Sequence, residues 1–153
     1  YKLLSNRTSK AFLHTNGWLE VNFDMDSITV QKKTEDMVRT YRQNHLPKSN
    51  FSTNRYKYLV ETINFLENHG NVYLVRLPIH SMLMQVEEEL MPNFNNKIHM
   101  AIEISSGYLD LTERNEEFRY TDGNHLFKDS GRIVSEIIAD WILKDRALTH
   151  KNP

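Results

Sequence analysis

Residues 66–82 read LENHGNVYLVRLPIHSM. A helix end, His69-Gly70, is followed at once by four apolar residues, Val72-Tyr73-Leu74-Val75, and the run closes at Pro78. Gly70 is expected to supply the left-handed stop of the helix. The same order recurs further on. Pro92 suits a first helical turn, Phe94, Ile98, Ala101, Ile102 and Ser105 form a stripe, Gly107 stops the helix, and Tyr108-Leu109-Asp110-Leu111 is a short strand. Between the two units, Ser81–Leu90 reads as a short helix whose Met82, Leu83, Met84 and Val86 are core packing. Strands written as continuous apolar runs are buried on both faces, which is the habit of parallel sheets. Alternation of helix and such strands is α/β grammar.

Working outward, Thr53 or Asn54 can cap the helix that carries Leu59, Ile63 and Leu66. A last helix starts near Asp129 or Ser130. Its Ile133, Val134, Ile137, Ile138, Trp141 and Ile142 fall on one face. The first third is less regular. Asn16-Gly17 is a turn signal, and Leu19, Val21, Phe23 and Met25 alternate with polar residues as in a half-buried strand. Residues 31–54 are polar, with one short helix expected around Glu35–Arg42 and an irregular surface excursion near Pro47. Only two central strands are clear. Either Leu19–Met25 joins them or strands are missing from this piece. The expected organisation is one domain over 1–153, or the C-terminal part of one. It comprises an irregular, strand-containing segment (1–52), an α/β core (53–145) and a frayed tail from Arg146 to Pro153.

Composition narrows the function classes. The chain has 153 residues, with 19 Lys+Arg against 20 Asp+Glu. A near-neutral chain lacks the electrostatic footprint of a general nucleic-acid binder, so no nucleic-acid partner is expected. No apolar run approaches the ~20 residues that a bilayer crossing needs, so no transmembrane segment is expected. The absence of Cys excludes disulfides, zinc-finger sites and thiol catalysis. The compartment and the oligomeric state are not legible.

In α/β sheets, ligands gather beyond the carboxyl ends of the strands. The first strand delivers His80 and Ser81 there. The second delivers Thr112 and a loop leading to Asp122-Gly123-Asn124-His125. An Asp three residues before a His, in a Gly-containing turn ahead of a helix, can fold back so that its carboxylate meets the imidazole Nδ1–H. Nε2 is then free to act as a base. This is the base-and-orienter half of a nucleophilic triad; the same spacing also suits a plain Asx turn carrying a surface His. Asn124 and His80 are candidate substrate-binding residues. A metal site from His80, Asp110, Asp122 and His125 is conceivable in residue type, but no His pair at ligand spacing supports it. No metal and no cofactor are expected.

The block TDGNHLFKDSGRIVSEIIADWI, residues 121–142, resembles the C-terminal block of SGNH/GDSL-type hydrolases. In that family a D-x-x-H motif lies between the last strand and the last helix. Residues 66–82 resemble the penultimate strand of the related bacterial O-acyltransferase helper proteins, and GYLDL (107–111) matches the strand before the motif. The resemblance spans roughly residues 53–144. It implies a flavodoxin-like, three-layer α/β/α fold with a parallel sheet. It also implies His125 as general base, Asp122 as its orienter, and a small-molecule, glycan or lipid ester as substrate. The family's Gly-Asp-Ser turn is absent. Met25-Asp26-Ser27 is the nearest imitation, but no clear helix is expected after Ser27. The resemblance therefore implies a nucleophilic Ser, and the first strand, upstream of Tyr1. The alternatives are a non-catalytic binding or scaffold domain of the same fold, and a metal-dependent hydrolase.

Overall fold

The structure, a computed structural model, describes residues 11–15, 17 and 19–149. Asn16, one half of the expected turn, and residues 150–153 of the expected tail lie outside the described residues. The chain is mixed α/β, and its centre is a parallel pair of strands, β3 (Tyr73–Arg76) and β4 (Gly107–Asp110). They pair in the register Tyr73↔Gly107 to Arg76↔Asp110. Side chains alternate between faces, so the pair has two distinct sides.

One side of the sheet receives α6 (Lys128–Thr149). Val134 of that helix is buried with Leu111, Phe118 and Tyr120, and Val75, Leu109, Ile137 and Ile138 pack against them. Gly107 has its role here. A Cβ at this position would sit 3.0 Å from the Trp141 ring, so the bare backbone admits the indole. Tyr73 meets the same ring edge-on. Gly107 therefore does not end a helix: the preceding helix α5 (His99–Glu103) stops earlier, and Gly107 opens β4.

The other side carries α3 (Ser81–Leu90) and α4 (Phe94–Lys97). Arg76 reaches from β3 to Glu87 of α3 and lies 4.2 Å from the Phe94 ring centre. Helix α3 in turn packs on α1 (Ser27–Thr40), burying Val38, Ile79, Leu83 and Val86 together, with Met82 and Met84 beside them. Helix α2 (Thr53–Glu67) is capped by Ser52, which accepts from the Arg55 N–H. Glu67 at its far end collects Val72 N–H and both the N–H and the hydroxyl of Ser106, tying α2 to the starts of both strands.

Four further expectations are corrected. Residues 27–40 form a full α-helix, continued by a π-turn (Tyr41–His45) and a 3₁₀ turn (Leu46–Lys48), not a surface excursion with a short helix at Glu35. The segment from Leu19 does not join the parallel sheet. Instead β2 (Leu19–Val21) pairs antiparallel with β1 (Ala11–Leu13). Gly70 is not left-handed; α2 ends in the right-handed Asn68. The last helix continues through the expected frayed region as far as Thr149. Among the described residues, no helix is long and apolar enough to cross a membrane.

Candidate active site

The Asp122–His125 turn lies past the carboxyl ends of both strands, and three constraints hold it. First, its flanks pair. Tyr120 and Leu126 form an antiparallel bridge, with Phe127 N–H donating to the Arg119 carbonyl at 2.8 Å and Thr121 N–H to the His125 carbonyl at 2.9 Å. Second, the His80 N–H donates to the Gly123 carbonyl at 2.9 Å, joining the turn to the loop after β3. Third, Gly123 has φ +86°, a left-handed conformation that glycine adopts at no steric cost. It is pressed against α1 and α3: a Cβ there would lie 2.8 Å from Thr34 Cγ2 and 3.2 Å from Leu83 Cδ1.

Within the turn, Asp122 is the hub. One oxygen accepts from the backbone N–H groups of Asn124 and His125 at 3.0 and 2.9 Å. The other is 2.9 Å from His125 Nδ1. Burial pushes the Asp122 carboxyl up, but the hydrogen bonds from the His125 ring and from these two backbone groups outweigh it and hold the carboxyl below its ordinary range. An ionised carboxylate only accepts, so Nδ1 carries the proton. The lone pair of a neutral His125 ring is then on Nε2. Among the described residues Nε2 has no hydrogen-bond partner, and the side chain is 69% exposed. The arrangement is a base whose tautomer is set by a neighbouring carboxylate, with its free nitrogen open to solvent.

The other candidates are placed as follows. Asn124 directs its side-chain amide to the Tyr41 hydroxyl, at 3.5 Å. His80 caps α3, its Nδ1 accepting from Met82 N–H at 3.2 Å, and its ring meets Tyr120 edge-on. Ser27 lies in the first turn of α1, with Asp26 as N-cap accepting from Ile28 and Thr29 N–H. A helix does follow Ser27, contrary to expectation, but Ser27 makes no hydrogen bond with His125 among the described residues. There too, no three His, Asp or Glu side chains group so as to hold a metal ion, so His80, Asp110, Asp122 and His125 form no such site.

No family model, curated protein or solved structure matches the chain. The site stands on its own geometry.

Two features here escape a reading of the sequence. Asp122 and Thr121 border a shallow cleft of about 400 Å³ whose other walls include Phe23, Lys33, Asp36 and Thr40. Most of those residues come from α1, the helix that composition concealed. At the strand ends, Arg76, Tyr108, Asp110 and Asn95 form a closed polar cluster. Asp110 accepts from Asn95, Tyr108 and Thr112 and pairs with Arg76. Burial and the Asp110 charge push the Tyr108 hydroxyl up to about 12. Each member already has a partner within the cluster, which marks it as a clasp between β3, β4 and α4. The signal in the sequence is the pairing of Arg76 and Asp110 at equivalent strand ends.

Proposed function

We propose that this chain carries the base-and-orienter half of an SGNH-like serine ester hydrolase or O-acyltransferase, on a flavodoxin-like three-layer α/β/α fold. The observation that carries the reading is the 2.9 Å contact between Asp122 and His125 Nδ1 with Nε2 left open. Its place beyond the ends of two parallel strands supports it. The nucleophile is a Ser hydroxyl from outside the described residues. His125 Nε2 accepts the hydroxyl proton as the Ser oxygen bonds to the ester carbonyl carbon. The imidazolium so formed is stabilised by the Asp122 carboxylate. It returns the proton to the departing alkoxide, leaving an acyl-Ser that water or a sugar hydroxyl resolves by the same steps. No metal or cofactor enters the sequence of steps.

The test is hydrolysis of p-nitrophenyl acetate by the full natural polypeptide. A base of this kind is worth ~10²–10⁴-fold, so His125→Ala lowers kcat/KM by that factor, while a chelator has no effect. Activity that is insensitive to His125→Ala refutes the assignment. A folded polypeptide with no activity on esters marks a binding module of the same fold, and activity lost to chelator marks metal chemistry.

A further inference from the structure

Helix α2 has two apolar sides. The inner one carries the buried Ile63, and Glu67 ties the helix end to the strand starts. On the side turned away from Ile63, Tyr58, Thr62, Phe65 and His69 follow at steps of four, three and four residues. That repeat lays them along one stripe, as in the seam of a helix pair. Tyr58 and Phe65 are 65% and 63% exposed, the two most exposed aromatic residues among those described. The polar groups along the stripe are satisfied within the helix. The Thr62 hydroxyl donates to the Tyr58 carbonyl at 2.7 Å, and His69 Nδ1–H donates to the Phe65 carbonyl at 2.9 Å. Covering the centre of the stripe therefore strands no donor or acceptor.

The charges along the stripe match it to itself. Lys57 and Glu61 pair across one helical turn at 3.7 Å and form one border; Leu59 and Leu66 form the other. A second α2 laid antiparallel, with a two-fold axis beside Leu59, sets Lys57 opposite Glu61 of the second copy. The two pairs then close into a ring of alternating charge, whereas a parallel contact would set lysine on lysine. The same axis brings Tyr58 over Thr62 of the second copy, a large side chain against a small one. It also brings Phe65 to Arg55, whose guanidinium has no ion pair among the described residues, so the aromatic face becomes its partner. Each contact occurs twice, as an isologous interface requires.

We propose that α2 is a self-association surface, through which two copies of this chain pair antiparallel about a two-fold axis. Its strength follows from its area. At about 200 Å² for a whole aromatic side chain and somewhat less for leucine, Tyr58, Phe65, Leu59 and Leu66 offer roughly 400 Å² per copy. That is about half of the ~800 Å² each partner gives to a standard interface, and Arg55, Lys57 and Glu61 add a polar rim. A weak dimer with a micromolar Kd is expected. No residue of the candidate active site lies on α2, so this inference is independent of the ester chemistry.

The test is sedimentation equilibrium of the full natural polypeptide between about 1 and 500 µM, which brackets that affinity. The average mass is expected to double across the range. Tyr58→Glu and Phe65→Glu should each raise the Kd at least ~10-fold, as for central aromatic anchors. Their circular dichroism and unfolding midpoint should match the natural protein, because both rings stand in solvent in the single chain. Leu143→Glu, at a 62% exposed position on α6, should leave the Kd unchanged. Lys57→Glu should weaken the dimer, and adding Glu61→Lys should restore it. A protein that stays monomeric throughout overturns the inference, whatever else binds this face. A dimer indifferent to the Tyr58 and Phe65 variants also overturns it, and so does a charge swap that fails to restore pairing.

Discussion

Gly123→Ala is the perturbation with the clearest structural forecast. The site opposes an alanine in two ways. Its φ of +86° costs an L-residue about 1–2 kcal/mol. The new methyl would also stand 2.8 Å from Thr34 Cγ2 and 3.2 Å from Leu83 Cδ1. Neither neighbour can swing aside. Thr34 is 2% exposed, stiff at χ1, and bonded through its hydroxyl to the Val30 carbonyl; Leu83 is 2% exposed in the α1–α3 core. Overpacking of this sort adds about 1–3 kcal/mol. The two contributions together give about 2–5 kcal/mol, which is roughly 4–20 °C in Tm for a domain of this size. Two control substitutions separate the contributions. Gly17 has φ +88° with nothing near its Cβ among the described residues, so Gly17→Ala incurs only the conformational part. Gly131 lies within α6 with open space around it, so Gly131→Ala should stabilise by about 0.5–1 kcal/mol. The assay is urea unfolding of all three variants with fixed m-value. If Gly123→Ala costs no more than Gly17→Ala, the turn is not pressed onto α1 and α3, and the argument for a rigid Asp122–His125 turn fails.

Two further outcomes follow from the packing and electrostatics. Leu111→Ala removes a side chain that is 2% exposed beneath the candidate site, and it should cost about 2–5 kcal/mol in chemical denaturation. The Asp122 carboxyl is held below its ordinary value, so it binds fewer protons folded than unfolded. Its stabilising contribution is complete above the unfolded carboxyl pKa of about 3.9 and declines as pH falls through the lower folded value. Asp122→Asn should therefore flatten the acid limb of stability against pH. An acid limb of unchanged slope would show that the carboxylate is not held by its hydrogen bonds.

How much of this was legible in the sequence depended on how each element is buried. The strands β3 and β4 announce themselves because both faces are covered, and α6 does so because a broad stripe meets the sheet. The Asp122–His125 contact was legible because it is local, a four-residue turn closed by its own side chains. Helix α1 was not. Its buried contacts are few, and one of them is Thr34, a polar residue that packs through its methyl; Ile28, by contrast, is 78% exposed. A narrow stripe containing a threonine looks like a solvated loop. The period-two pattern over Leu19–Met25 points to a strand, but only Leu19–Val21 forms one, and alternation does not name a partner: it is β1 and not β3. The glycines misled in a similar way. Gly107 followed a helical stripe and resembled a stop, although its lack of a side chain serves Trp141.

The proposed catalysis depends on the Asp122 carboxylate fixing the proton of His125 on Nδ1 and leaving Nε2 as the base. Nitrogen NMR of the His125 ring, recorded where the imidazole is neutral, tests it directly. The expected result is a proton on Nδ1, an unprotonated Nε2, and loss of that preference in Asp122→Asn. A ring protonated on Nε2, with the same spectrum in the variant, would contradict it.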